Sequence, residues 1–205
     1  RECVRMLESG PAAGVIGAGA ICHHMDLPAA ITFDMGGTTA KAGVILHGQP
    51  LTTGSALIGG YERALPVQVP MIDIFEVGTG GGSLARVGEG GALRVGPQSA
   101  GSMPGPACYG RGGSEPTVTD ANVVLGRLDP QRFLGGEMLL DADAARRAIH
   151  DRIASPLGLD DVLAADGILR IAVTTMSLAV KGVTTARGLD AGRFGPVARS
   201  SGVAY

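Results

Sequence analysis

The sequence predicts an α/β fold. Three observations carry that prediction. A short aliphatic strand, Ala29–Phe33, runs into an acidic residue and a glycine turn. A second aliphatic strand, Ala42–Leu46, follows at once. From residue 118 onward the apolar residues recur at helical spacing instead of alternating. The bulk properties agree. The chain has 205 residues, enough for one domain with a real core, and 45% of them are apolar, which is a globular composition. The net charge is −2 with no basic block, so nothing favours nucleic acid or an anionic membrane surface. The apolar runs are short and broken by Gly or charge, which argues against a membrane span. There are 34 glycines and only 3% aromatics, a balance that implies tight turns and close backbone approaches. Cys3, Cys22 and Cys108 are an odd set without metal-type spacing, which fits a reduced, cytoplasmic setting. The chain opens on Arg1 with no signal peptide, so an internal stretch of a longer protein is expected.

In chain order, residues 4–24 are small and aliphatic with little charge and read as a buried helix, with Ser9 as N-cap and Gly10-Pro11 at its first positions. Gly14, Gly17 and Gly19 weaken that helix and imply a backbone or ligand lying against it. The two strands come next, and His47-Gly48-Gln49-Pro50 closes the second with a hairpin turn. Val67–Val69, Ile72–Val77, Ser83–Val87 and Ala92–Val95 are further strands. Gln98–Thr117, rich in Gly, Pro and Ser, is expected to be an ordered loop. Val118–Gly126 reads as a short helix capped by Thr119 or Asp120. Asp141–Ala154 reads as an amphipathic helix capped by Asp141. Asp160–Arg187 carries a long helix with Val162, Leu163, Ile168, Ile171, Ala172, Met176 and Ala179 on its apolar side. The organisation expected is therefore a helix and hairpin over 1–50, a β-rich and glycine-rich region over 51–117, helices over 118–190 and an atypical tail over 191–205.

The chemistry concentrates in Ile31–Lys41, ITFDMGGTTAK. Asp34 ends a buried strand, where a carboxylate can reach a Mg²⁺-bound water. Gly36 and Gly37 let the backbone bring N–H groups up to a phosphate, and Thr38 and Thr39 add hydroxyl donors. The competing reading is an ordinary hairpin with a polar turn. Upstream lies the small-residue helix Ser9–Gly19, SGPAAGVIGAG. Helix, strand and D-x-G-G-T in that order are the arrangement found in the second half of actin-like ATPases.

These two stretches, with VGTGGGSLARVGEGGALRVGPQSAGSMPGPACYGRGGSEPTVTDANVVLGRLDP over Val77–Pro130, closely resemble the hydantoinase A/5-oxoprolinase family from about Leu7 to Asp190. The resemblance implies an incomplete actin-like (ribonuclease H-like) ATPase lobe with a β-rich, glycine-rich insertion. It implies ATP and Mg²⁺ as cofactors and phosphorylation of a carbonyl oxygen. In one branch this opens a cyclic amide such as a hydantoin or 5-oxoproline. In another, related acetone and acetophenone carboxylases phosphorylate other oxygens. A hydantoinase B-type subunit or domain is the implied partner.

Carried over by position, the match makes Asp34, Gly36, Gly37, Thr38 and Thr39 the second phosphate motif of the family. Many members carry Asp where this chain has Lys41, a residue that could contact phosphate directly and that tilts the match towards the cyclic-amide branch. Gly80, Gly81, Gly82 and Ser83 match a triple-glycine loop, either an anion nest or a β-bulge turn. Asp73 and Glu76 are either metal or substrate contacts or solvated strand charges. Cys108 is a ligand, a nucleophile or a buried structural thiol. Asp120 either caps a helix or works in the site. His23 and His24 are adjacent, point to different faces and have no partner ligands. The family's first phosphate motif is absent, and Gly195–Tyr205 does not match its adenosine-binding continuation. The chain by itself is accordingly expected to be half a nucleotide site and inactive.

Overall fold

A computed structural model describes residues 9–54, 56–58, 65–67 and 70–200. The chain divides into two compact units. One takes in the residues up to Asp34, Lys41–Glu76 and Ala179–Arg199; the other takes in Met35–Ala40 and Val77–Leu178.

The first unit is built on α1 (Ser9–His24), β1 (Ala29–Met35) and β2 (Ala40–Leu46). Its five-stranded sheet has the order β11-β1-β2-β3, with β3 at Gln49–Pro50 and β11 at Gly195–Ser200, and β8 (Ile74–Val77) also pairs with β2. The tail expected to be atypical thus supplies a strand of this sheet as far as Ser200, and residues 201–205 lie outside the described residues. β2 and β3 are antiparallel, joined across His47 (φ 51°) and Gly48 (φ 74°), which is the hairpin turn read from the sequence. Two short antiparallel pairs complete the unit: β4 (Thr52–Thr53) with β7 (Met71–Ile72), and β5 (Ala56–Ile58) with β6 (Leu65–Val67). The strand expected at Val67–Val69 falls partly outside the described residues.

Helix α1 packs through Val15, Ala18, Gly19 and Cys22, a spacing that repeats one face of a helix. Val15, Ala18 and Cys22 make the core with Ala30 and Ile45, and Leu27, Ile72 and Ile74 pack against it. The close fit explains Gly43: a Cβ there would stand 2.9 Å from Thr32 Oγ1 and 3.0 Å from a Val15 methyl. Of the helix glycines, Gly19 meets a backbone as expected, the Gly48 carbonyl at 3.5 Å from its would-be Cβ, whereas Gly17 faces open space. The helix is not buried all round, since Ile16, Ile21 and Met25 are exposed.

In the second unit β9 (Ser83–Val87) and β10 (Leu93–Ser99) form an antiparallel pair whose register shifts between Val95 and Ser99. β10 therefore runs two residues into the segment expected to be loop. α2 (Val118–Val124) is capped by Thr117, not by Thr119 or Asp120. Asp120 is the reciprocal member of that capping box: its N–H donates to Thr117 Oγ1 while its Oδ2 accepts from the Thr117 N–H at 2.9 Å. The same fully buried carboxylate accepts the Cys108 N–H at 2.8 Å and the Ala107 N–H at 3.2 Å, so it fastens the short 3₁₀ turn Ala107–Tyr109 to the start of α2. Cys108, Val123, Phe133, Leu140 and Ala145 form the core beneath. α3 (Ala142–Ile149) has Asp141 as its N-cap, as expected, with Oδ1 accepting the Ala144 N–H at 2.8 Å. It continues through a π-helical turn, His150–Ala154, into α4 (Ser155–Leu157).

α5 (Asp161–Val183) is the long helix read from the sequence. Its buried side carries Ala164, Ala165, Ile168, Leu169, Ala172 and Ala179, while Val162 and Leu163, expected on that side, are exposed. Over Asp161–Arg187 this segment is long and apolar enough to cross a membrane by length and composition, which the broken apolar runs of the sequence had not suggested; a buried core helix meets the same measure.

The glycine loop Gly80–Gly82 lies between a turn and a helix. Gly81 N–H donates to the Gly36 carbonyl at 3.0 Å and Gly82 N–H to the Gly37 carbonyl at 2.6 Å. From the other side the Thr119 N–H and hydroxyl both donate to the Gly81 carbonyl, at 2.8 and 2.9 Å. A Cβ on Gly80 would sit 2.5 Å from the Gly36 oxygen and 2.7 Å from Thr38 N.

Two outcomes follow for mutants of the full-length protein. Asp120→Asn turns one acceptor oxygen into a donor facing N–H groups, and should cost about 3 kcal/mol locally. Amide exchange at Ala107, Cys108 and Thr117 should then accelerate roughly 100-fold; unchanged exchange would refute the anchoring role. Gly80→Ala should push the Gly36–Thr38 turn off its support and cost about 2 kcal/mol. Accelerated exchange at Gly81 and Gly82 reads this out, with Gly37→Ala, which meets nothing within 4 Å, as the silent control.

Candidate functional site

The hairpin between β1 and β2 carries the residues singled out from the sequence. In the second unit its turn, Gly36–Thr39, is closed by the Gly36 N–H donating to the Thr39 carbonyl at 2.9 Å. The carbonyls of Gly36 and Gly37 face the glycine loop. The N–H groups of Gly37 and Thr38 have no acceptor among the described residues. Neither Gly36 nor Gly37 has a positive φ, and a Cβ on Gly37 would meet nothing within 4 Å. The fold therefore does not require glycine at position 37. The Thr38 hydroxyl is exposed and lies 3.4 Å from Ser99 Oγ.

In the first unit Asp34 lines a cavity of about 30 Å³ together with Pro11, Val15, Thr32, Lys41 and Ile74. That is room for on the order of one water. Asp34 Oδ1 is buried there and is the one buried side-chain oxygen or nitrogen without a partner among the described residues. An unpaired buried carboxylate oxygen costs about 1–3 kcal/mol, so a water or cation-bound water at this atom would satisfy a group that the protein leaves unsatisfied. This is the feature that fits Mg²⁺. Among the described residues no three His, Cys, Asp or Glu side chains gather to hold a metal directly.

Other candidates find protein partners. Lys41 Nζ is 2.7 Å from Glu76 Oε1, with the lysine side chain largely buried. Its charge is balanced by a carboxylate on β8, and Glu76 in turn is not a bare ligand. Asp73 pairs with Arg187 Nη2 at 2.7 Å. The two carboxylates expected as metal or substrate contacts are each held by a cation instead.

The glycine loop is also not the anion nest offered as one reading. Gly80 N–H donates to Ser83 Oγ at 2.8 Å and Ser83 N–H to the Gly80 carbonyl at 3.1 Å, while Gly81 and Gly82 hold the turn. All four N–H groups have acceptors inside the protein, and a nest needs them free.

Asp120 is the structural anchor described above, with both carboxylate oxygens engaged by protein donors. Cys108 is fully buried. Burial first, and the adjacent Asp120 charge second, push its thiol far above the usual range, which matches the buried structural thiol and not an activated nucleophile. His23 and His24 are exposed at the end of α1.

Two residues that matter here were not singled out from the sequence. Ser99, opposite Ser83 in the β9–β10 pair, reaches the phosphate-type turn. Its position in QSAGS gave no signal, because the register shift that aims it is a tertiary feature. Arg187 reaches Asp73 across 114 positions, a separation at which one sequence cannot reveal pairing.

Comparison with known proteins bears on the same residues. The family described as hydantoinase/oxoprolinase matches residues 1–199. An uncharacterised protein of Methanocaldococcus jannaschii is 46% identical over 192 residues, 90% of this chain and 28% of that protein. The acetophenone carboxylase gamma subunit of Aromatoleum aromaticum is 39% identical, covering 90% of this chain and 25% of that one. The crystal structure of the ATP-dependent caprolactamase from Pseudomonas jessenii superposes with a TM-score of 0.80 at 38% identity, over 93% of this chain and 27% of that one. The chain thus spans about a quarter of the length of the proteins it matches. The match reaches residue 199 and so takes in most of β11. With a family match over nearly its whole length, this chain belongs to the hydantoinase/oxoprolinase family.

Proposed function

We propose that the protein containing this chain uses ATP to hydrolyse a cyclic amide, a hydantoin, 5-oxoproline or similar lactam, by phosphorylating the ring carbonyl oxygen. The observation that carries this is the turn at Gly36–Thr39. It has two N–H groups without protein acceptors, on a glycine that the fold does not need, followed by two hydroxyl residues. Such a turn is built to meet an anion with several oxygens. The relative named ATP-dependent caprolactamase and the family's hydantoinase/oxoprolinase description supply the substrate class.

ATP supplies a phosphoryl group that makes a poor leaving oxygen a good one, and one ATP and two waters are consumed per ring opened, giving ADP, phosphate and an amino acid from a lactam or an N-carbamoyl amino acid from a hydantoin. The residues of this chain act by positioning. Gly37 and Thr38 N–H groups and the Thr38 and Thr39 side chains would hold phosphoryl oxygens. Asp34 would hold a Mg²⁺-bound water at its unpartnered Oδ1, orienting charge neutralisation for transfer. Lys41 lines the same cavity as Asp34 and is paired with Glu76. A subunit or domain of the hydantoinase B type would complete the ring-opening site, in keeping with the caprolactamase and carboxylase relatives being named as subunits.

The 39% identity to a carboxylase subunit, beside 38% to the caprolactamase, keeps a second reading, ATP-driven addition of bicarbonate to a ketone. ADP release by the full-length protein separates the two. It should appear only with a lactam or hydantoin and match ring opening one to one; release that instead requires ketone plus bicarbonate would establish the carboxylase.

Asp34→Asn should lower kcat/KM for ATP about 100-fold or more by removing the charge that would bind Mg²⁺-water. An unchanged value would take Asp34 out of the mechanism. Gly37→Ala should raise KM for ATP about 10-fold, equivalent to ~1.4 kcal/mol, with no change in melting temperature. A drop in melting temperature with normal KM would return Gly37 to a purely structural role.

A further inference from the structure

The phosphate-type turn has a neighbour that the proposed function does not use. Ser99 Oγ lies 3.4 Å from Thr38 Oγ1, 3.4 Å from the Gly37 carbonyl and 3.1 Å from the Gly101 N–H. These residues all belong to one compact unit. The serine is brought there by the register shift that ends β10, and it is given room by Gly82, whose would-be Cβ would stand 2.8 Å from Ser99 Oγ. The Ala100 N–H donates to the Gly82 carbonyl at 2.8 Å, fixing the segment on which the serine sits.

A hydroxyl has one proton and two lone pairs. In one arrangement Ser99 donates to the Gly37 carbonyl and accepts from Gly101 N–H and from the Thr38 hydroxyl. Thr38 then turns only lone pairs outward, which repel an anion. In the other, the Ser99 proton rotates onto Thr38 Oγ1, and the Thr38 proton is free to point at an incoming oxygen. The swap moves no proton between heavy atoms. It leaves the Gly37 carbonyl with the Gly82 N–H at 2.6 Å, so that oxygen stays satisfied. Both serine contacts are long, so neither arrangement is strongly held.

We propose that Ser99 is a positioning residue that makes Thr38 a hydrogen-bond donor to a bound phosphate, by rotating its own hydroxyl from the Gly37 carbonyl to Thr38. This rests on the turn being a phosphate site, as proposed above.

The test is a double-mutant cycle on MgATP binding by the full-length protein. Ser99→Ala and Ser99→Cys, the second nearly isosteric but a poor donor, should each weaken binding about 10-fold. Thr38→Val should do at least as much. In the Thr38→Val background the Ser99 substitutions should have no further effect, because Ser99 acts through Thr38. Unchanged affinity in both Ser99 variants, or losses that add to that of Thr38→Val, would overturn the relay while leaving the phosphate site standing. Failure of the unaltered protein to bind MgATP would overturn the phosphate site itself, and the relay with it. Melting temperatures of the Ser99 variants serve as a folding control: a fall with additive affinity losses identifies a merely structural serine.

Discussion

A turn whose N–H groups have no protein acceptor has to be held in place by its other groups. At Gly36–Thr39 the holding is done through the carbonyls. Gly81 and Gly82 donate to the Gly36 and Gly37 oxygens, and the absence of side chains at Gly80 and Gly82 allows the approach. The rest of the second unit can be followed outward from that contact. Thr119 at the start of α2 fixes the Gly81 carbonyl, Thr117 and Asp120 fix the start of α2, and Asp120 also holds the Ala107–Tyr109 turn. Each link is a hydrogen bond in a buried place, where a lost partner costs more than the bond itself contributes. A segment rich in Gly, Pro and Ser is thereby made stiff by its polar groups, since it has few large side chains with which to pack.

This arrangement sorts the acidic residues by task. Asp120 is surrounded by donors that only the protein supplies, and its charge is fully used in holding backbone. Asp73 and Glu76 each face a cation. Asp34 alone keeps a buried oxygen unmatched within the described residues. A buried polar atom without a partner destabilises a fold, and its persistence beside a small cavity is economical only if something from outside completes it.

Much of the architecture was legible in the sequence because it rests on local signals. The strands flanking ITFDMGGTTAK, the cap at Asp141 and the long helix ending near Val183 follow from periodicity and capping chemistry. The family was legible from long motifs. The roles within the motifs were not. Read from the sequence, the cap of α2 lies at Thr119 or Asp120, where the structure has the Thr117–Asp120 capping box, and the further bonds from Asp120 to Ala107 and Cys108 depend on a loop folding back over twelve or more positions. The triple glycine invited an anion nest because glycine is read the same way whether a ligand or another backbone comes close. Only the coordinates reveal that the neighbour is the Gly36–Thr38 backbone. Val162 and Leu163 were placed on the wrong side of α5 because an apolar residue marks a buried face only on average.

The glycines also show how the two explanations can be separated within one loop. Gly80 and Gly82 are glycines because atoms of this chain occupy the space a Cβ would take. Gly37 has neither crowding nor a positive φ to account for it. Gly17 shares that property, so the lack of crowding does not by itself mark a ligand. What sets Gly37 apart is its place in the turn: its N–H and that of Thr38 have no acceptor among the described residues, while the Gly36 and Gly37 carbonyls are held by Gly81 and Gly82. Under the proposed function those N–H groups meet phosphoryl oxygens, and the carbonyl side of the same turn supplies the support that lets them do so.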